Sequence, residues 1–252
     1  MKTSRTHRRF SFGVLLLSTF LLVFTACTDQ EEAQVRETAE ETAQAAQADV
    51  EAFKQEFQSS LNNADQQLQQ VSQRIDTSAE QANAELQEEL TDIRQRRDQL
   101  EKQVGDLQAS GVEEFRQARA DLRSRMNHLE HDLRVARLES IESKEEFVQA
   151  VQAELEDINQ EMNQLNQNLD GTGENVRAEY SQTMEALKKE RKLLKENLSE
   201  LEQAGSSEFK DMRVAIAEDV AALGSEINQA SNELESATRS RTAARTEEDG
   251  PS

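Results

Sequence analysis

One thiol, Cys27, and three imidazoles set the limits on what the side chains of this chain can do. His128 and His131 stand three apart with Glu130 between them, a spacing that puts both rings on one side of a helix. Such a pair can share a metal, but zinc needs at least three protein ligands, and further ones would have to come from a neighbouring helix. Leu122, Met126, Leu129 and Leu133 mark the apolar stripe of the same segment and leave both rings facing outward. The pair therefore reads as solvated surface, and no metal ligand is assigned. Asp and Glu are so frequent that no two stand out as general acid and base. A nucleophile–His–Asp set and a phosphate-cradling glycine loop are both missing from the pattern. The sequence thus assigns no catalytic residue and no cofactor-binding residue, and the expectation is a protein that is not an enzyme.

Cys27 sits in a different context. Lys2, Arg5, Arg8 and Arg9 precede an apolar run at residues 13–24, which is too short to span a bilayer, and Thr25 and Ala26 are small. A small residue before a Cys, with acidic residues following, resembles the lipobox of bacterial lipoproteins. The resemblance implies that residues 1–26 are a signal peptide. It also implies that Cys27 becomes the acylated first residue, carrying diacylglycerol and palmitate-type chains. Two or more chains anchor stably, so the expectation is a membrane-tethered protein with no other cofactor. Thr28 stands where the lipoprotein family places an Asp for inner-membrane retention. The implied location is the outer membrane, on its periplasmic side.

Without residues 1–26 the chain holds 25 Lys+Arg against 50 Asp+Glu, a net charge of −25. Such a field repels phosphate, which excludes nucleic acid and bare anionic lipid as partners. Ala, Leu, Glu, Gln and Arg dominate, there is no Trp, and the single proline is Pro251. That composition belongs to long helices and coiled coils. Five Phe and one Tyr remain after the leader, so any core is a stripe and not a globular interior.

Shifted by 94 positions, residues 51–144 align with 145–238 without a gap. Phe53 falls on Phe147, Arg97 on Arg191, Phe115 on Phe209, Arg119 on Arg213 and Leu129 on Leu223. Each copy reads as three helical segments with apolar residues alternating four and three apart, such as Leu86, Leu90, Ile93, Leu100, Val104 and Leu107. A single stripe per segment has to pack against other segments. Arg97, Arg191, Arg119 and Arg213 lie on these seams. They either form a polar layer with carboxylates that fixes register, or lay their stems over the seam with their heads in water. Phe115 and Phe209 read as plugs of the seam.

Breaks recur between segments. Ala109-Ser110-Gly111 and Ala204-Gly205-Ser206-Ser207 each offer a Gly for φ > 0 and a hydroxyl cap. Asp170-Gly171-Thr172-Gly173 is a stop, while Asp76-Thr77-Ser78-Ala79 lacks glycine and leaves a turn and a kink both open. Nothing of this kind interrupts residues 113–168, which predicts one helix of about 84 Å joining the two copies. The fold expected is all-α, with long antiparallel helices in two tandem three-helix coiled-coil units of spectrin-like geometry. Residues 27–50 then form the lipidated Cys and an acidic tether, 51–144 and 145–238 the two helical repeats, and 239–252 a disordered tail.

The runs RQRRDQLEKQVGDLQASGVEEF (94–115) and RAEYSQTMEALKKER (177–191) resemble a bacterial family of small coiled-coil proteins labelled stress-response proteins. In that family a KRDE-type segment leads through an ELxxAS turn to an aromatic, often Trp where this chain has Phe115 and Phe209. The resemblance implies helices and no active site. Taken together, these readings point to a lipid-anchored cell-envelope scaffold, spacer or protein-interaction protein. Its unknown protein partner is not named by the sequence, and homo-oligomers through the seams are open to it. The alternatives are an apolipoprotein-like lipid-surface protein and a stress or desiccation protectant.

Overall fold

The computed structural model describes residues 29–77, 83–107 and 112–248. Cys27, the apolar leader and part of the first two inter-helix breaks lie outside the described residues. The described part is all-helical: α1 (Asp29–Thr77), α2 (Asn83–Gly105), α3 (Val112–Glu139), α4 (Lys144–Asp170), α5 (Glu174–Gln203) and α6 (Ser206–Glu248). Among the described residues no helix is long and apolar enough to cross a membrane. The chain divides into two compact units, Met1–Ala45 and Ala46–Ser252. Of the first, the described part is the beginning of α1, from Asp29, where the acidic tether was expected. Everything below concerns the second.

The apolar stripes are buried in two separate clusters. Phe53, Phe57, Leu61, Leu68 and Val71 of α1 pack with Leu90 and Ile93 of α2 and with Leu122, Leu129 and Leu133 of α3. Phe147, Val151, Ile158 and Leu165 of α4 pack with Leu187 and Leu201 of α5 and with Ile216, Val220 and Ile227 of α6. These are the residues that the four-three spacing places on one side of each helix, so the seam dictates which face turns inward. Leu138 and Ile141, at and just beyond the end of α3, belong to the second cluster, so the α3 segment contributes to both.

Contacts recur 94 residues apart. The rings of Phe53 and Phe115 meet edge-on at 6.0 Å and 79°, and those of Phe147 and Phe209 at 5.9 Å and 77°. Arg97 donates to Asp65, and its counterpart Arg191 donates to Asn159, the residue 94 positions after Asp65. Within the first cluster Arg94 of α2 meets Ser72 of α1, and Arg97 of α2 meets Asp65 of α1. The break at residues 76–79, for which a turn and a kink were both open, falls partly outside the described residues.

The expected continuous helix over residues 113–168 is not formed, and with it goes the spectrin-like sharing of one helix between units. α3 stops at Glu139 and α4 starts at Lys144. Ser143 caps α4, its side chain accepting from Glu146 N–H at 3.4 Å. Ser143-Lys144-Glu145-Glu146 has the S-x-x-E form of a capping box, which is a helix start without any glycine or proline. Two burials reward the turn: Ile141 is 4 % exposed and Phe147 is fully buried. Across this break, Arg134 and Arg137 of α3 reach Glu154 of α4.

The other breaks fall where the glycines suggest, at residues 171–173 and 204–205, yet no described residue has positive φ. Gly171 (φ −76°) and Gly173 (φ −69°) end one helix and begin the next in ordinary backbone. Lys144 donates to the carbonyls of Glu202 and Ala204 at 2.8 and 3.0 Å, satisfying orphan acceptors at the end of α5. At the far end, the expected disordered tail differs from what is found, because α6 runs on to Glu248. The stretch from Arg239 lacks a seam in sequence but is made of helix-compatible residues.

Candidate functional site: a charged cleft between the two cores

Glu154 is the one charged residue that is truly buried among the described residues, 8 % exposed. It lies where α3 and α4 face α1 and α6, in an open cleft of about 580 Å³. Arg134 Nε is 2.9 Å from one carboxylate oxygen, and the Arg137 guanidinium meets the other. Glu130 and Glu161 line the same cleft, and Asn228 of α6 donates to Glu130 at 3.2 Å. Burial pushes the carboxyl of Glu130 above its usual range, against the pull of Arg134 and with the help of Glu161. Glu161 is raised in the same way, by burial first, with Glu154 and Asp157 adding to the effect and Arg134 opposing it. One Glu161 oxygen is buried without a hydrogen-bond partner. The cleft thus concentrates two guanidinium groups among carboxylates, of which Glu130 and Glu161 resist ionisation.

What the arrangement can do is set register. A buried ion triad gains little over well-packed apolar residues, but misaligning it strands a charge, which costs several kcal/mol. Sliding α3 by one turn along α4 would take Arg134 and Arg137 off Glu154 together. Gly224 of α6 completes the fit: a Cβ there would overlap the Arg134 guanidinium, which would have to shift to make room.

The residues singled out from sequence fall elsewhere. Arg97, with its side chain 14 % exposed, bonds Asp65 and Glu101 at 2.5 Å each and Asp98 at 3.1 Å. Its head turns to carboxylates and not to water, a polar layer at the seam. Arg191 pairs with Asn159. Arg119 and Arg123 share Glu235 of α6, at 3.1 and 2.5 Å, and lie over the Phe53 ring. Arg213 lies over Phe209 and donates to the Ile141 carbonyl at 3.1 Å. Phe115 is half-buried and Phe209 is 7 % exposed. His128 is exposed, and His131 is half-buried with Nδ1 3.3 Å from Asp132. Among the described residues no cluster of three or more His, Cys, Asp or Glu is arranged to hold a metal.

Sequence reasoning missed Glu130, Arg134, Arg137, Glu154 and Asn228. Their signal was a charged stripe beside the apolar one: Glu130, Arg134 and Arg137 step four and three on α3, and Glu154, Asp157 and Glu161 step three and four on α4. Read as charge on a solvated face, it passes unnoticed; read as a second contact face, it marks helices with neighbours on two sides. Searches against protein-family models, curated proteins and solved structures found no match to this chain.

Proposed function

We propose that this chain is a non-catalytic helical scaffold or spacer of the bacterial cell envelope, held to a membrane through acyl chains on Cys27. Its helices form two tandem three-helix units, at residues 51–144 and 145–238, each with antiparallel neighbours. The observation that carries the scaffold reading is the repetition of the core contacts 94 residues apart, Phe53–Phe115 with Phe147–Phe209 and Arg97–Asp65 with Arg191–Asn159. The apolar stripes are spent on each other: Leu193 and Val214 are the exposed large hydrophobics among the described residues. That weighs against an apolipoprotein-like habit, which needs an apolar face free for lipid. A 43-residue helix such as α6 is about 65 Å long, a useful reach for a spacer. The surplus of 50 Asp+Glu over 29 Lys+Arg favours a basic protein partner and solubility in a crowded compartment.

Two measurements test the reading. In cells fed a labelled fatty acid, the chain takes up label and sediments with the outer membrane, and Cys27→Ser loses both. An unlabelled chain removes the anchor. Circular dichroism of the unlipidated protein gives a cooperative helical melt in buffer that liposomes leave unchanged. Helix that forms only with liposomes, or only on drying, replaces the scaffold by the lipid-surface or the protectant reading.

A further inference from the structure

The contacts between the two cores obey an internal two-fold relation. Arg119 of α3 meets Glu235 of α6, and Arg213 of α6 meets Ile141 just beyond α3. Adding 94 to one member and subtracting it from the other converts the first pair into the second. Glu130 meets Asn228, and the same exchange gives Arg134 against Gly224, the close approach already described. The cleft lining follows the rule too: Ser60, Asn63 and Gln67 of α1 correspond to Glu154, Asp157 and Glu161 of α4. The relation is one of backbone placement and not of side chains. Gly224 of α6 lies against Arg134, and the small residues Ala217, Ala221 and Gly224 have Arg123, Asn127 and Glu130 as their equivalents on α3. Arg134 of α3 fills the space left by Gly224 of α6.

The link between the copies is short and free of glycine and proline, and it has helix on both sides. What holds it bent is the Ser143 cap and the burial of Ile141. We propose that the inter-core face has a second occupant, the same face of another copy of this chain. Residues 140–143 straighten, α3 runs into α4, and the first core of each chain seats on the second core of its partner in a reciprocally swapped dimer. The argument is continuity with the interface just described. The α3–α6 and α1–α4 contacts of the single chain are recreated between chains except at the hinge, where Ile141 leaves the second core and its carbonyl leaves Arg213. The price is the entropy of association, together with the cap and the Ile141 burial; hinge strain and hinge propensity are known to tip such balances. The proposal does not depend on the lipid anchor and stands or falls separately from the scaffold reading.

The test uses the full chain in mild detergent with Cys27→Ser, so that introduced thiols are the only ones. Ser140→Ala and Ser143→Ala remove the cap and raise helix propensity through the hinge while leaving Ile141 in place. One batch of this double variant also carries Arg119→Cys, and another carries Glu235→Cys. The two are mixed, unfolded, refolded together at high concentration and treated with a short bismaleimide. The expected product on a denaturing gel is a species of twice the chain mass, formed only from the mixture. Inserting four Gly/Ser residues after Glu142 relaxes the hinge and abolishes that product. A hinge variant that gives no cross-chain product overturns the proposal, as does a dimer in which positions 119 and 235 do not join. Should the double alanine variant fail to melt cooperatively, the same cysteine pair in the unaltered hinge, refolded at high concentration, is read by the same criterion.

Discussion

Phe147→Ala tests both the packing of the second core and its independence from the first. Phe147 is fully buried where α4 leaves the Ser143 cap, and its ring meets Phe209 edge-on at 5.9 Å. Truncating a buried Phe to Ala costs about 3–5 kcal/mol, the sum of lost transfer energy and the cavity that remains. How that loss appears depends on cooperativity. If the roughly 200 described residues melt as one body, each kcal/mol lowers Tm by about 2–4 °C, and the whole transition moves by about 6–20 °C. If the cores unfold separately, each is a body of about 100 residues for which the same loss is worth about 4–8 °C per kcal/mol; half the signal then moves, and the rest stays with the parent. The charged layer between the cores, with its small apolar content, favours the split melt. Far-ultraviolet circular dichroism with temperature and with urea reads both the free energy and the number of transitions. Phe53→Ala, the equivalent change in the other core, moves the other half. A double-mutant cycle of Phe147→Ala with Phe209→Ala isolates about 0.5–1.5 kcal/mol for the edge-on pair. A loss below about 1 kcal/mol for Phe147→Ala refutes the assignment of Phe147 as a core plug, because no well-packed site collapses so cheaply.

The remaining predictions concern the cleft. Glu154→Gln removes the counter-ion of Arg134 and Arg137, whose side chains are 17 % and 30 % exposed and so keep partial access to water. The expected loss is about 1–3 kcal/mol in urea denaturation, below the value for a fully buried pair, while the same change at exposed Glu156 stays within about 0.5 kcal/mol. Gly224→Ala gains helix propensity but drives Arg134 away from Glu154, and a net loss is expected; in an Arg134→Ala background the same change becomes stabilising by about 0.5–1 kcal/mol. Burial raises the carboxyl pKa of Glu89, Glu130, Glu139, Glu161, Asp219 and Glu226. The folded state therefore binds more protons than the unfolded one between the ordinary carboxylate range and these raised values, and stability falls as pH rises through that window. Tm should climb as pH is lowered from neutral to about 5, and Glu130→Gln should flatten the climb; a Tm that drops over that range contradicts the burial of these groups.

The helices and the inward face of each were legible because the four-three spacing is a direct record of burial. Leu86, Leu90, Ile93 and Leu100 are all buried, as their spacing requires. The stops at residues 171–173 and 204–205 were legible through their glycines. The turn at residues 140–143 was not, since its determinants are a serine cap, a glutamate three residues on, and one isoleucine whose burial depends on a helix arriving from more than seventy residues away. Arg213, which donates to the Ile141 carbonyl, lies on that helix. A local pattern records local partners, and this turn is decided by a distant one.

The same reasoning explains why the cleft was invisible. A duplicated chain presents its repeat as conservation of the seam between copies, and Phe53/Phe147 or Leu129/Leu223 announce it. The face on which the copies meet differs between them at its closest approach, where a long group on one helix needs a small one opposite, as Arg134 needs Gly224. Arg123, Asn127 and Glu130 against Ala217, Ala221 and Gly224 show that divergence. Matching one copy to the other discards those positions as noise, although they hold the contacts that make one body out of two. In a duplicated helical protein, then, seam positions that agree between copies report the cores. Flanking positions that disagree in size, long in one copy and small in the other, report the interface between them.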